Sequence, residues 1–258
     1  ILGDTAKLRA LAEIGTLIIV PTHFSHLDSI VLGWVMHHLG LPHLVYGTGL
    51  NLFNSQLFAY FLNKLGVYKI DRRKKNTPYL TTLKTYARLL LQHGCHSAFY
   101  PGGTRSRSGA LEQKLKLGLL RVALEAQRKN YQMQGKAARK LFVVPIVFNY
   151  HFVLEAPLLI KSHLAQLGKL PTHSVNKENI SLHKLLLWAR HFFTGDTSLS
   201  VSIGQPMDLL GHGVDKAGNS HDASGKYIDT HQHWLKKEIG IPITKQHERH
   251  TQTLGKAI

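Results

Sequence analysis

Thr16-Leu17-Ile18-Ile19-Val20-Pro21-Thr22-His23-Phe24-Ser25-His26-Leu27-Asp28 is the stretch that decides how this chain folds. Residues 16–20 form a short apolar run after Gly15, the pattern of a buried strand. Ser25 then opens a helix to about residue 39. Its apolar residues Ile30, Val31, Trp34 and Val35 recur at helical spacing, and Gly40-Leu41-Pro42 ends it. His23 falls in the loop after the strand, and Asp28 in the first turn of the helix. The chain turns between them, so the carboxylate can reach the imidazole. A carboxylate on one ring nitrogen fixes the tautomer and frees the other nitrogen to take a proton. The competing reading is a capping box, Ser25-His26-Leu27-Asp28, in which Asp28 only caps the helix.

The same strand–helix alternation continues outward. Residues 6–15 read as helix. A second strand lies at 44–46, before Gly47-Thr48-Gly49, and a helix follows over about 51–64. A third strand covers 66–70, a helix 78–92, a fourth strand 97–100 and a long helical stretch 111–129. Phe142-Val143-Val144-Pro145-Ile146-Val147-Phe148 is a fifth strand, chiefly core, with an acyl groove as the minority reading. Pro145 cannot donate to a ladder, so it marks an edge or a bulge. Leu199, Val201 and Ile203 alternate with serines, as in a half-solvated strand. Residues 211–233 are rich in Gly, Asp, Ser and His and read as an ordered loop or linker. No internal repeat is read. The alternation predicts an α/β layer fold. Residues 1–210 are expected to form one domain, and 211–258 a C-terminal loop and helical extension.

The 258 residues, 43% of them hydrophobic, can bury one large core. Lys and Arg outnumber Asp and Glu by 32 to 15, for a net charge of +17. That excess implies acidic partners: nucleic acid, anionic lipid, phosphorylated substrates or an acidic carrier protein. The single cysteine, Cys95, excludes an internal disulfide, and it reads as a packed residue rather than a nucleophile. His93, Cys95 and His96 match no zinc spacing. No run of about 18 apolar residues is present, so no bilayer-spanning helix is expected. Residues 50–67 suit a helix buried on one face or resting on a membrane surface. The chain begins at Ile1 rather than Met, and a preceding segment is expected.

A second polar cluster is Tyr100-Pro101-Gly102-Gly103-Thr104-Arg105-Ser106-Arg107-Ser108-Gly109. Gly102 and Gly103 allow a tight turn or close ligand approach. Arg105 and Arg107 project to one side if the loop is extended there, with hydroxyls between them. That combination suits a phosphate cradle; the alternative is a solvated basic turn. Gly66-Val67-Tyr68-Lys69-Ile70-Asp71-Arg72-Arg73 runs from strand into basic turn. Arg72 either meets the same phosphate or belongs to an exposed charge run.

With these four clusters in order, the chain resembles the glycerolipid acyltransferase superfamily. The blocks are His23/Asp28, residues 66–72, residues 100–106 and Val144-Pro145-Ile146, over roughly residues 16–150. A weaker likeness continues through residues 201–206. Gly49-Leu50-Asn51-Leu52 and Arg105-Ser106-Arg107-Ser108-Gly109 are similar to segments of the glycerol-3-phosphate acyltransferase branch. Gly102 stands where many members carry Glu. Asp71 stands where that branch often has a second Arg, which leans toward the lysophosphatidate type.

The resemblance implies an acyltransferase-type single domain, α/β, with a mixed central sheet flanked by helices. It implies transfer of a fatty acyl group from a thioester, acyl-CoA or acyl-carrier protein, to a hydroxyl of glycerol-3-phosphate in phospholipid synthesis. Lysophosphatidate is the alternative acceptor. His23 and Asp28 would be catalytic. Arg72, Gly103, Thr104, Arg105, Ser106 and Arg107 would bind phosphate, with Gly103 and Thr104 amides near the oxyanion, and Val144, Pro145 and Ile146 would lie on the acyl side. No metal or cofactor is expected, and the protein is expected on the cytoplasmic face of an anionic membrane as a peripheral protein. A His-dependent thioesterase and a nucleic-acid-binding module are the readings of other kinds. No aromatic-plus-basic stripe supports the second, so nucleic acid is not an expected partner.

Overall fold

The computed structural model describes residues 1–25, 28–53, 56–103, 105–106, 115–150, 160–161, 163–165, 167–169, 199–235 and 243–258. Its centre is strand β1 (Gly15–Pro21), buried at every residue. β1 pairs in parallel with β4 (Ser97–Ala98) on one side and with β5 (Lys140–Tyr150) on the other. β6 (Leu199–Ile203) adds to β5 antiparallel. Strands β2 (Tyr46–Gly49) and β3 (Val67–Ile70) pair in parallel. Val45, just before β2, bridges in parallel to Ser97 and carries the sheet on to that pair. The result is the expected α/β fold with a mixed sheet between helices.

The burial of β1 follows from period-two geometry between two helical layers. Leu17 and Ile19 enter one core with Leu8 and Leu11 of α1 (Thr5–Ile14) and Val35 and Met36 of α2 (Asp28–His38). Ile18 and Val20 enter the opposite core, with Leu91 of α4 (Thr77–Gln92) and Leu120 and Leu124 of α5 (Gly118–Gln134). α3 (Gln56–Lys64) connects β2 to β3. α2 closes as the sequence predicts: Gly40, at φ +67°, donates to His37 and Leu41 donates to Met36, a Schellman end. It begins at Asp28 rather than Ser25, and β2 begins at Tyr46 rather than residue 44.

Pro145 lies in an interior strand, yet its missing N–H costs nothing. Ile146 pairs with Ile203 while Val143 bridges Met207, so the segment 203–207 has one extra residue. The proline faces that bulge, and its carbonyl accepts from Gly204 N at 2.8 Å.

Residues 211–233 follow the ordered reading rather than the linker, as a small sheet and the start of a helix, and with Asp208 they hold a repeat that the sequence reading missed. Asp208, Asp215 and Asp222 stand seven apart, each followed three residues later by Gly211, Gly218 or Gly225. Each glycine has positive φ and donates to its aspartate's carbonyl. Each aspartate side chain accepts from the amides two and four residues on, at 2.8–3.0 Å. These turns link β7 (Gly213–Val214), β8 (Ser220–His221) and β9 (Tyr227–Ile228) into a small antiparallel sheet. Helices α6 (Thr230–Leu235) and α7 (Ile243–Ala257) follow, and Trp234 and Leu254 pack into the α5 core. Among the described residues, no helix is long and apolar enough to cross a membrane.

His96 is a core histidine. It is 6% exposed, and its Nδ1 accepts from Leu17 N at 2.9 Å. Burial, and then the nearby Arg139, push the imidazole down from 6.5 to about 4. The unfolded chain therefore takes a proton there before the folded one does. This contribution to stability is full above about pH 6.5 and is lost as pH falls toward 4. His96→Ala should cost about 1–3 kcal/mol, because it strands the Leu17 amide in the core, and should flatten that stretch of the stability–pH curve. Urea unfolding at pH 7, 5.5 and 4.5 tests this; an unchanged slope in the variant would contradict the assignment.

Candidate active site

The polar residues of interest gather beyond the C-terminal ends of the parallel strands, where open α/β sheets bind ligands. His23 lies just past β1, Arg72 just past β3, Tyr100 and Gly103 past β4, and Tyr150 at the end of β5. The loop after β1 is pinned to β5: Thr22 N donates to Ile146 O at 3.0 Å, and Phe148 N donates to Thr22 Oγ1 at 3.1 Å.

His23 Nδ1 donates to Asp28 Oδ2 at 2.8 Å. Asp28 is fully buried, whereas the His23 side chain is 20% exposed. The same Asp28 oxygen accepts from Phe24 N at 2.8 Å and Ser25 N at 3.0 Å. Tyr150 donates its hydroxyl to Oδ1 at 2.5 Å. The capping reading and the base-orienting reading thus describe one arrangement. The carboxylate at the helix N-terminus folds the loop back on itself and in doing so grips the imidazole. With Nδ1 engaged, Nε2 is the nitrogen able to exchange a proton.

Tyr100 packs against His23 with ring centroids 4.2 Å apart and planes tilted by 30°, and its hydroxyl shares a 3.0 Å hydrogen bond with Ser29 Oγ. Burial pushes the Tyr100 hydroxyl far above its ordinary pKa, so it is a neutral wall for the imidazole. The Gly/Arg loop turns at Gly103, φ +72°, which donates to Tyr100 O. A side chain at position 103 would also collide with Lys116, whose Nζ would lie 2.6 Å from the added Cβ. Ser106 N then donates to His23 O at 2.8 Å, tying this loop directly to the base.

His23, Tyr100, Gly103, Arg72 and Lys116 line one cleft of about 1020 Å³. Lys74, Lys75 and Lys84 line it as well, and Leu62, Leu83, Leu119 and Val122 supply apolar wall. Asp71, also in the cleft wall, accepts from Arg73 Nε at 3.0 Å and Nη2 at 3.1 Å. Those bonds hold its carboxyl below the usual range and leave Arg72 as the cation beside it in the cleft.

Thus the fold brings His23, Asp28, Arg72, Gly103 and the Arg105–Ser106 backbone together. Thr104 and Arg107 lie outside the described residues. Val144 and Ile146 are 0% and 1% exposed in the core, and neither they nor Pro145 line the cleft. Tyr150, Ser29 and Lys116 escaped the sequence reading. For Tyr150 the available signal was its place four residues past the Val-Pro-Ile block, but only the β1–β5 register aims it at Asp28.

The sheet thus lies between two helical layers, with the His23–Asp28 pair just beyond the C-terminal end of β1. Residues 6–149 match the Acyltransferase family, and the chain belongs to it. Its relatives include proteins named glycerol-3-phosphate acyltransferase. That of Pseudoalteromonas atlantica is 33% identical over 159 residues, which cover 60% of this chain and 18% of the relative. That of Alteromonas mediterranea is 31% identical over 173 residues, 64% of this chain and 19% of the relative. That of Aeromonas hydrophila is 32% identical over 154 residues, 58% and 18%. The chain spans about a fifth of the length of the curated relatives it matches.

Proposed function

We propose that this chain transfers a fatty acyl group from an acyl thioester to a hydroxyl of glycerol-3-phosphate, with His23 as general base. The observation that carries the proposal is the 2.8 Å Asp28–His23 bond at the wall of a cleft with cationic and apolar linings. His23 Nε2 takes the proton of the acceptor hydroxyl as its oxygen attacks the thioester carbonyl. The C–S bond of the tetrahedral intermediate then breaks, and the thiolate takes the proton back from the imidazolium. Arg72, Arg105 and Arg107, joined by Lys116, would hold the phosphate and so orient the hydroxyl. Of the two amides expected at the oxyanion, that of Gly103 is engaged by Tyr100 O, which leaves Thr104 for that role. The leucines of the cleft, rather than β5, offer the surface for the acyl chain. Acyl-CoA or acyl-carrier protein is the co-substrate, no metal or cofactor takes part, and the protein works as a peripheral protein on the cytoplasmic face of an anionic bilayer. Residues 1–210 would form the catalytic domain and 211–258 its C-terminal extension.

The relatives' name favours glycerol-3-phosphate as acceptor; Asp71 in place of a second arginine favours lysophosphatidate. A radiolabelled transfer assay offering both acceptors side by side decides between them, and thiol release without any acceptor would favour a thioesterase instead. Arg105→Ala should raise the acceptor's KM about 10–100-fold, the worth of a charge-assisted hydrogen bond, and leave the donor's KM nearly unchanged. Equal effects on both would count against a phosphate role. Tyr150→Phe should lower kcat about tenfold, for a lost hydrogen bond to a charged group. A lowered Tm with an unmoved kcat would mark Tyr150 as structural only.

A further inference from the structure

Asp71 is the sole Asp or Glu between residues 29 and 111, and it is engaged by Arg73. α3 and α4 therefore hold no carboxylate against Lys64, Lys84 and Arg88, the turn between β3 and α4 adds Arg72, Lys74 and Lys75, and α2 contributes apolar side chains but neither Lys nor Arg. Lys74, Lys75 and Lys84 line the cleft and are exposed, and Lys64 is exposed at the end of α3. Large apolar side chains stand among these cations. Ile30 is 54% exposed, Trp34 55%, Leu65 44% and Leu80 37%. Ile30 and Trp34 are one helical turn apart, on the same face of α2. Ile30, Leu65 and Leu80 all line the cleft, so α2, the end of α3 and the start of α4 meet at its mouth.

We propose that this rim is a docking surface for an anionic lipid bilayer, with the cleft opening toward the lipid. An acidic macromolecule or a free phosphate would use the lysines but leave Trp34 and Ile30 in water. A bilayer surface takes both. Tryptophan settles at the headgroup level, apolar side chains enter the acyl boundary, and each lysine near an anionic leaflet strengthens binding about fivefold. The inference rests on the acyl-transfer reading for its purpose: a long-chain donor and an acylated product would pass between cleft and bilayer without crossing water. The turns of Asp208, Asp215 and Asp222 lie in the C-terminal sheet, and none of these carboxylates lines the cleft.

The test is co-sedimentation of the chain with phosphatidylglycerol vesicles and with phosphatidylcholine vesicles, at low and high salt. Binding to phosphatidylglycerol that falls at least tenfold at high salt is expected, together with quenching of tryptophan fluorescence by brominated lipid. Trp34→Ser and Lys64→Glu, both outside the cleft wall, should each weaken binding about fivefold or more, and Trp34→Ser should remove most of the quenching. Met133→Ser, at a 76% exposed position at the far end of α5, should change nothing. Melting curves confirm that each variant is folded. Equal binding to both lipids, equal losses in all three variants, or binding only to an acidic carrier protein would overturn the proposal. No substrate is needed, so vesicle binding by a chain that transfers no acyl group would retain this surface and sink the transfer reading alone.

Discussion

His23→Ala is expected to slow acyl transfer by about 10²–10⁴-fold, the worth of a positioned general base, with little change in stability. The side chain is partly exposed, and its loss leaves Asp28 still holding the amides of Phe24 and Ser25 and the hydroxyl of Tyr150. The loop thus keeps its shape when the ring is gone, and Ser106 N still has the carbonyl of residue 23 to bond. The chief structural cost is the ring contact with Tyr100, about 0.5–1.5 kcal/mol. Radiolabelled transfer to glycerol-3-phosphate, run beside a melting curve, measures both. Turnover near that of the parent chain in a folded variant would remove His23 from the mechanism.

Asp28→Asn should be nearly as damaging to rate, at about 10²-fold or more, for a different reason. The Asn oxygen can occupy the place of Oδ2 and accept from His23, Phe24 and Ser25. Its NH2 group then meets Tyr150, whose hydroxyl can turn to accept. The loop survives, at a cost of about 1–2 kcal/mol. The negative charge that stabilises the imidazolium is lost, however, and hydrogen bonds to charge are roughly twice as strong as neutral ones. Asp28→Leu, by contrast, strands several buried donors and should unfold far more easily, by about 3 kcal/mol or more. An Asn variant with full activity would reduce Asp28 to a helix cap. A stable Leu variant would show that the cap itself is dispensable.

Much of the fold was legible because local pattern and tertiary demand agree. The apolar run at 16–20 becomes β1, and the helical spacing of Val31, Val35 and their neighbours becomes the buried face of α2. Gly40 ends that helix because a positive φ is needed there. The errors have physical causes too. The strands β7–β9 are two residues each, too short for any alternation to register. Their repeat is carried by turn chemistry, Asp and Gly three apart, which composition alone reads as linker. Pro145 signalled a bulge, but only the pairing with residues 203–207 placed that bulge in the segment opposite it.

The sequence by itself determined which chemical groups are available and that His23 and Asp28 can meet, because five residues around one turn bring them together locally. It also determined the cationic character of residues 29–111, since charge needs no fold to be counted. Only the tertiary structure decided that Tyr150 grips the far oxygen of Asp28, that Ser106 ties the Gly/Arg loop to His23, and that Val144 and Ile146 are core rather than cleft wall. Those facts depend on strand register, and register is set by side chains far apart in the chain packing into one space, which no local spacing encodes.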